Sequence, residues 1–254
     1  MKSLTEKVAI ITGASTGIGA ATAKLFAAEG ARVVLVARTD AALDTLAEKI
    51  AVSGGECAIC PGDVRDEATA EAVVALAQRA FGGLDIAFNN AGALGEMGPV
   101  TDISCDGWRE AIDVNLTGAF LSARHQIPAL LARGGGSLIF TSSFVGHTAG
   151  FPGMSAYAAS KAGVLGLVRN LAVEYAARGI RVNALLPGAV DTPMGREVAH
   201  TEELQRFVAN LNAMKRIAAP EELARAALFL ASDSSSFMTG ETMLVDGGVS
   251  VNHT

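Results

Sequence analysis

Short runs of Val and Ile alternate along the chain with longer stretches rich in Ala, Leu, Glu and Lys. The short runs are almost continuously apolar, which is typical of strands buried on both faces of a parallel sheet. In the longer stretches, apolar residues recur at the spacing of a helix face. Strands that alternate with helices favour right-handed βαβ units, so the pattern predicts an α/β fold with a doubly wound, seven-stranded parallel sheet flanked by helices on both faces.

This pattern also sets the expected boundaries of the elements. No run of charges and no Pro- or Ser-rich linker divides the chain, so a single domain over residues 1–254 is predicted, with a small substrate lid near residues 191–215. The predicted strands are Val8–Ile11, Arg32–Ala37, Ala58–Cys60, Ile86–Phe88, Ser137–Phe140, Arg181–Leu186 and Thr242–Val245, and the predicted helices lie near Ile18–Ala28, Ala41–Val52, Glu67–Phe81, Trp108–Ala132, Ala156–Arg178 and Glu221–Ala231.

Composition narrows the class of protein. The 254 residues carry a formal net charge of −6 with Lys and Arg scattered, so nucleic-acid binding is not expected. No apolar run approaches the ~20 residues that cross a bilayer. The N-terminal residues lack the apolar stretch of a signal peptide, and we expect a cytoplasmic protein with no membrane association.

The three cysteines have no regular spacing, so the sequence predicts neither a disulfide framework nor a metal site. Cys57 and Cys60 match the Cys-x-x-Cys pattern of redox proteins. However, they fall on a predicted strand, where residues three apart face opposite sides. We therefore interpret them as structural.

A glycine-rich turn follows the first predicted strand, in the segment Thr12–Gly19. Glycine is needed where the backbone turns tightly and where a pyrophosphate must approach it closely. The following helix would direct free N–H groups and its positive dipole end toward phosphates, and Ser15 can add a hydroxyl donor. The turn therefore predicts a dinucleotide site, although an ordinary loop between strand and helix is the alternative.

Tyr157 and Lys161 lie four residues apart and would share one face of a helix. A nearby ammonium favours the phenolate and lowers the phenol pKa from ~10, which makes a tyrosine usable as a general acid and base. The alternative is a Tyr–Lys pair on a solvated surface. Ser143 follows a predicted buried strand, at the end where doubly wound sheets bind ligands. Asn115 falls inside a long predicted helix, where it is either functional or simply a satisfied buried or capping amide.

Together these motifs resemble the short-chain dehydrogenase/reductase family. The resemblance runs from the Gly-x-x-x-Gly-x-Gly turn at residue 13, through Asn89–Gly92 and Tyr-x-x-x-Lys, to Gly248. It implies a Rossmann fold and a catalytic set of Asn115, Ser143, Tyr157 and Lys161. Ser142 remains an alternative to Ser143, because the spacing from Ser143 to Tyr157 is one residue longer than in many members.

The resemblance also implies the residues that hold a nicotinamide dinucleotide. Asp63 and Val64 would contact the adenine, and Val190 and Thr192 would contact the carboxamide. Lys161 would bind the nicotinamide ribose. Asn115 would help to hold a water that relays protons from Lys161. The implied cofactor-binding residues are Gly13, Ser15, Thr16, Gly17, Ile18, Gly19, Arg38, Asp63, Val64, Asn90, Tyr157, Lys161, Val190 and Thr192.

The end of the second predicted strand bears on which dinucleotide is preferred. An NAD-selective site needs a carboxylate there to bind the ribose 2′-hydroxyl, but Ala37 occupies that position. Arg38 follows, and its planar fork suits a 2′-phosphate. We therefore expect NADP(H) to be preferred. NAD(H) stays possible because Asp40 is close, and because Thr16 stands where many NADP-dependent relatives have a second basic residue.

The expected activity is hydride transfer between NADP(H) and the carbonyl or secondary alcohol of a ketone, sugar, steroid or cyclic alcohol. One alternative is a 3-oxoacyl-[acyl-carrier-protein] reductase, but Val173 stands where such enzymes often carry a docking arginine. Another is a non-catalytic nicotinamide-binding sensor, against which the intact Ser143, Tyr157 and Lys161 argue. Substrate contacts are expected from Ala93–Gly98, Phe144–Met154 and Met194–Leu211.

A homotetramer is also expected. The family commonly pairs long helices between subunits, and closed two-fold symmetry is the usual outcome. The predicted Tyr157 helix carries small residues that would permit such packing, namely Ala158, Ala159, Ala162, Gly163 and Gly166, although they could instead pack only within the subunit.

Overall fold

The computed structural model describes residues 2–252 and contains a seven-stranded parallel sheet with helices on both faces. The strands are β1 (Val8–Thr12), β2 (Arg32–Ala37), β3 (Glu56–Pro61), β4 (Ile86–Asn89), β5 (Gly136–Thr141), β6 (Ile180–Pro187) and β7 (Thr242–Val245). The helices are α1 (Gly17–Ala28), α2 (Asp40–Val52), α3 (Glu67–Phe81), α4 (Cys105–Ile112), α5 (Gly118–Ala132), α6 (Ser155–Tyr175), α7 (Pro193–Val198), α8 (Glu202–Leu211) and α9 (Pro220–Ala231).

The strand order β3-β2-β1-β4-β5-β6-β7 creates a switch in the middle of the sheet. The sheet grows outward from β1 to β3, and the chain then returns to place β4 on the other side of β1. Connections from β1 and β4 therefore leave in opposite directions, which opens a crevice above the carboxyl ends of these strands. The fold class predicted from the sequence is confirmed.

Two apolar cores lie on the two sides of the sheet. Val8 and Ile10 pack toward α3, α5 and α6, whereas Ala9 and Ile11 pack toward α1, α2 and α9. Both sets of strand residues are fully buried. This explains why the strands are continuously apolar instead of alternating with polar residues.

The single helix predicted over Trp108–Ala132 is wrong. The structure has α4 and α5 joined by a π-helical turn over Asp113–Thr117, which includes Asn115. A π turn inserts one residue into otherwise helical backbone, and such bulges are frequent at functional sites. The apolar spacing on either side is still helical, so the periodicity gives no sign of the insertion.

Cys57 and Cys60 lie on β3 and pack into opposite cores, as their strand assignment requires. Burial raises the pKa of both thiols above the ordinary value. A redox cysteine needs a lowered thiol pKa, so the geometry favours a structural role.

Two features are absent from the described part of the chain. No helix within residues 2–252 is long and apolar enough to cross a membrane. In the same residues, no group of three or more His, Cys, Asp and Glu side chains is placed to hold a metal ion.

Candidate active site

A cleft of about 840 Å³ lies above the carboxyl ends of the strands, at the switch between β1 and β4. Its volume is in the range of small-molecule and cofactor sites. Most of the residues that the sequence predicted for the site line this cleft. Among the predicted catalytic and cofactor-binding residues, all but Gly19 and Asn115 line it.

The turn after β1 packs so tightly against its surroundings that Gly13 and Gly19 have no room for a side chain. A Cβ atom at Gly19 would lie 2.1 Å from the Gly13 carbonyl oxygen, and a Cβ at Gly13, whose φ is +65°, would lie 2.9 Å from the Ala91 Cα. Thr16 stands at the N-cap of α1 and makes no side-chain capping bond, and the first turn of α1 has no acidic residue. The N–H groups of this turn are therefore available to a phosphate, and the cradle fits a pyrophosphate.

Asn90 ties together the strand ends beneath the cleft. Its Nδ2 donates to the Thr12 carbonyl at 3.3 Å, and its Oδ1 accepts from the Thr141 hydroxyl at 3.1 Å. The Thr12 hydroxyl in turn accepts from the N–H groups of Asn90 and Ala91. β1, β4 and β5 are thereby fixed to one another at the floor of the cleft.

Tyr157 and Lys161 project from α6 into the middle of the cleft, and both are almost fully buried. The Lys161 Nζ lies 5.7 Å from the centroid of the Tyr157 ring and donates to the Thr141 carbonyl at 2.9 Å. Ser143 hydrogen-bonds to the Tyr157 phenol. The structure therefore brings three of the predicted catalytic side chains together.

The choice between the two serines follows from what each hydroxyl contacts. The Ser142 hydroxyl donates to the Lys161 carbonyl at 2.8 Å, within the protein interior. The Ser143 oxygen accepts from the Val145 N–H at 3.1 Å and lies beside Tyr157. Only Ser143 is therefore placed to share a substrate oxygen with the phenol.

The pKa values differ from the expectation that Lys161 lowers the pKa of Tyr157. Burial raises the pKa of the Tyr157 phenol, and the hydrogen bond with Ser143 offsets this only in part. Burial also lowers the pKa of the Lys161 ammonium, to about 8. The expectation fails for the protein alone because removal from water disfavours both charged forms, and because the ammonium is directed at the Thr141 carbonyl.

Asn115 reaches the site from the π turn. Its Nδ2 donates to the Ala93 carbonyl at 2.8 Å and to the Ser160 hydroxyl at 2.9 Å, while its Oδ1 accepts from the Ala93 N–H at 2.9 Å. The Ser160 hydroxyl in turn donates a hydrogen bond to the Tyr157 carbonyl at 2.7 Å. Both amide hydrogens of Asn115 are committed, so the side chain joins the loop after β4 to α6 behind the cleft.

Arg38 lines the other end of the cleft, and a second arginine that the sequence did not predict, Arg65, bonds to Asp63 there. Arg38 is exposed at the end of β2, as expected. Asp63 lies across from it and receives a bidentate bond from Arg65, with Nη2 2.7 Å from Oδ2. That bond holds the pKa of the Asp63 carboxyl below its ordinary value. The spacing Asp63-x-Arg65 was the available signal, because the Arg65 N–H also closes a turn onto Asp63.

Apolar side chains surround the Tyr157 hydroxyl at the substrate end. Leu94, Val145 and Tyr157 form a buried cluster, against which Phe144, Phe151, Met154, Ala158 and Met194 pack. The polar side chains nearby bond to the protein itself. Arg196 pairs with Asp191 at 2.7 Å, the Gln205 amide donates to the Ala199 carbonyl at 3.2 Å, and the Asn212 amide donates to the Arg216 carbonyl at 2.6 Å.

The pKa of Lys161 predicts how the free energy of unfolding depends on pH. Between pH 8 and 10.5 the unfolded chain keeps the proton that folded Lys161 has lost. Unfolding therefore takes up protons, and the stability of the wild type should rise with pH across this window by about 3 kcal/mol more than that of Lys161→Met.

Denaturant titrations at several pH values would measure this difference, with Lys24→Met as the control because Lys24 is exposed on α1. Parallel pH profiles for the wild type and Lys161→Met would show that Lys161 titrates normally.

Comparison with known proteins places the whole chain among oxidoreductases. The family model described as enoyl-(acyl carrier protein) reductase matches residues 13–250. Cyclohexanol dehydrogenase from Acinetobacter sp. (strain SE19) is 41% identical over 242 residues, covering 95% of this chain and 94% of that protein. A 2,5-dichloro-2,5-cyclohexadiene-1,4-diol dehydrogenase from Sphingobium indicum is 41% identical over 251 residues, covering 98% of each.

Solved structures agree in fold over the same length. Levodione reductase superposes with a TM-score of 0.94 at 34% identity, covering 98% of this chain and all of that one. A gluconate 5-dehydrogenase from Beutenbergia cavernae, described as putative and solved with NADP, gives 0.92 at 36% identity, covering 98% and 99%. A 7α-hydroxysteroid dehydrogenase solved with NADH gives 0.92 at 33% identity, covering 96% and 94%.

Proposed function

This chain belongs to the short-chain dehydrogenase/reductase family of oxidoreductases, and from that premise we propose that it transfers a hydride between NADP(H) and an uncharged cyclic secondary alcohol or its ketone. The observation that carries the proposal is the Tyr157 hydroxyl, which shares a hydrogen bond with Ser143 inside an apolar pocket. That pair can hold one substrate oxygen while the ring of the substrate packs against Leu94, Val145 and their neighbours.

The dinucleotide would lie along the cleft, with its pyrophosphate on the turn Gly13–Gly19 and its nicotinamide near Val190 and Thr192. The cofactor supplies or accepts the hydride, and the protein supplies position and electrostatics. Support for this placement comes from the glycine cradle and from the uncapped first turn of α1.

Tyr157 is the proposed acid and base. Burial raises the pKa of its phenol, so the hydroxyl is protonated at neutral pH and can give its proton to a carbonyl oxygen. Ser143 donates a second hydrogen bond to the same oxygen. In the oxidative direction the same phenol, once deprotonated, takes the proton from the alcohol.

Lys161 is proposed to hold the cofactor ribose and to keep a proton close to Tyr157. With a pKa of about 8, its amine exchanges protons readily near neutral pH. Asn115 is proposed to act by positioning other residues. Its amide bonds to Ala93 and Ser160, and the Ser160 hydroxyl bonds to the Tyr157 carbonyl near the start of α6.

The apolar lining favours a neutral alicyclic substrate over a charged one. A carboxylate placed among Val145, Phe151 and Met154 would lose its hydration without finding a cation, because Arg196 is already paired with Asp191. The names of the cyclohexanol and cyclohexadienediol dehydrogenases among the relatives agree with this choice. Among the ketones, sugars, steroids and cyclic alcohols expected from the sequence, we therefore favour cyclic alcohols and ketones.

A spectrophotometric screen tests the proposal directly. Purified protein would be assayed with NADP(H) and NAD(H) against cyclohexanol, cyclohexanone, gluconate and a bile acid. We expect turnover of the alicyclic pair and little turnover of the carboxylates. Cofactor binding without turnover of any alcohol or ketone would instead favour the sensor alternative.

The reductase of carrier-bound acyl groups is not favoured. The relatives named above take their names from small free molecules. On α6, Val173 is 85% exposed and apolar, so this position offers no cation to an acidic carrier protein.

NADP(H) is the proposed preferred cofactor. No carboxylate stands at Ala37, and Arg38 and Arg65 flank the single carboxylate of Asp63. The guanidinium of Arg38 lines this end of the cleft, and its planar fork suits a 2′-phosphate.

Arg38→Ala is expected to lower kcat/KM for NADP(H) by about 10- to 100-fold and to leave kcat/KM for NAD(H) nearly unchanged. A hydrogen bond to a charged phosphate is worth about 1.5–3 kcal/mol, and NAD(H) lacks that phosphate. Both values would be measured with one alcohol, and Arg79→Ala on the exposed face of α3 serves as the control. An unchanged ratio in Arg38→Ala would refute this role for Arg38.

The remaining proposals concern assembly and the lid. We propose a cytoplasmic homotetramer paired through its long helices, in which residues 191–215 cover the substrate. Val198, Val208 and Leu211 of α7 and α8 line the cleft, in support of the lid. Exposed apolar side chains on α4 and α5, Trp108 and Phe120, support pairing of these helices. Light scattering at micromolar concentration should give four times the mass of the chain, and a monomer would contradict the assembly.

A further inference from the structure

The last described residues form a rigid turn beside the substrate end of the cleft. Asp246 follows β7, and its two carboxylate oxygens accept from the N–H groups of Gly248 at 2.9 Å and Ser250 at 3.0 Å. These bonds, with that from the Val249 N–H to the Asp246 carbonyl at 3.2 Å, shape the one-turn 3₁₀ helix Val249–Val251. We call residues 246–252 the C-terminal turn.

The C-terminal turn contacts both segments that carry the apolar lining. On one side, the Ser250 hydroxyl hydrogen-bonds to the hydroxyl of Thr148, in the loop that follows β5. On the other, the Asn252 amide donates to the Leu211 carbonyl at the end of α8, at 2.9 Å. The Met214 N–H adds a bond to the Gly247 carbonyl at 3.1 Å. Loop and lid are thus joined through a third segment.

Neighbouring side chains of the turn face different surroundings. Val249 lines the cleft, together with Phe144 and Phe151 of the loop and Val208 and Leu211 of the lid. Val251, two residues on, is 73% exposed. The turn therefore offers one apolar group to the substrate and one to solvent, within the same short helix.

We infer that the C-terminal turn is a specificity element: Val249 forms one wall of the substrate pocket, and the Ser250–Thr148 bond holds that wall against the loop, so that together they limit the size of the ring that the enzyme accepts. This inference rests on the proposed function, because it concerns the same site. It assigns the selection among substrates to a segment that is remote in sequence from Ser143 and Tyr157. Those two residues cannot discriminate among these substrates.

The first test compares a small and a large alcohol. The ratio of kcat/KM for decahydro-2-naphthol to that for cyclohexanol would be measured in the wild type, Val249→Ala and Val251→Ala. Removing two methyl groups from the wall should raise this ratio by about tenfold in Val249→Ala, mainly through KM of the larger ring. Val251→Ala should keep the wild-type ratio. An equal ratio in all three proteins would overturn the assignment of Val249.

A second test needs no substrate and is independent of the proposed function. Hydrogen–deuterium exchange would be followed in residues 144–154 and 202–211 of the wild type, Ser250→Ala, Thr148→Val, the double variant that combines these two substitutions, and Val251→Ala. Loss of either hydroxyl should speed exchange in residues 144–154, and the double variant should behave like the single ones. Wild-type exchange in both hydroxyl variants would overturn the clamp. Should the wild type turn over neither alcohol, the proposed function fails while this experiment still decides the clamp.

Discussion

Tyr157→Phe is expected to lower kcat by about a hundredfold or more, while the dissociation constant of the cofactor stays close to that of the wild type. The change removes one hydroxyl and keeps the ring, which remains packed against Leu94 and Val145. General acid–base catalysis contributes about 10²–10⁴-fold, and here a single phenol is proposed to supply it. Steady-state rates and fluorescence titration with reduced cofactor would separate the two effects.

The chain offers a matched control for this variant. Its only other tyrosine, Tyr175, ends the same helix α6 and packs beside the core on that side of the sheet. Tyr175→Phe removes the same atom from the same kind of residue, far from the cleft, and should keep kcat. A Tyr157→Phe enzyme as fast as Tyr175→Phe would remove Tyr157 from the proposed mechanism.

Gly19→Ala is expected to weaken cofactor binding by about a hundredfold. The new Cβ would lie 2.1 Å from the Gly13 carbonyl oxygen and 2.9 Å from the Asn90 Nδ2, and neither a backbone atom nor a tied side chain can yield cheaply. The turn must therefore shift, and a displacement of ~1 Å in a positioning element can cost about 10²-fold. Calorimetric titration with NADP(H) would measure the loss.

Gly150→Ala is the matching control for that substitution. A Cβ at Gly150 meets nothing within 4 Å. Cofactor affinity should therefore be retained there, with folding of both variants checked by circular dichroism. If Gly19→Ala bound NADP(H) as tightly as Gly150→Ala does, the pyrophosphate could not lie on the turn after β1.

The strands and most helices could be predicted from the sequence because strands buried on two faces are continuously apolar, and helices show apolar residues at helical spacing. β2 and β7 have the predicted bounds, and the other strands begin or end within two residues of them. Spacing also predicted that Tyr157 and Lys161 share a face of α6, since four residues make about one helical turn. Local periodicity is sufficient for features of this kind.

What the sequence did not predict depends on contacts between distant segments. The sequence preferred Ser143 to Ser142 through the family resemblance alone, and the contact that supports this choice joins the Ser142 hydroxyl to the carbonyl of Lys161, 19 positions away. The raised pKa of Tyr157 follows from burial by the loop after β5, which no spacing encodes. The bond between Ser250 and Thr148 joins residues 102 positions apart.

The π turn over Asp113–Thr117 bears on how the chain can change in length during evolution. Residues in an α-helix are ~100° apart around the axis, so deleting one residue here would restore a continuous α-helix and rotate everything before the cut by that angle relative to α5. Asn115 or its partners would then face away from Ala93 and Ser160. Insertions and deletions should therefore be purged from this turn.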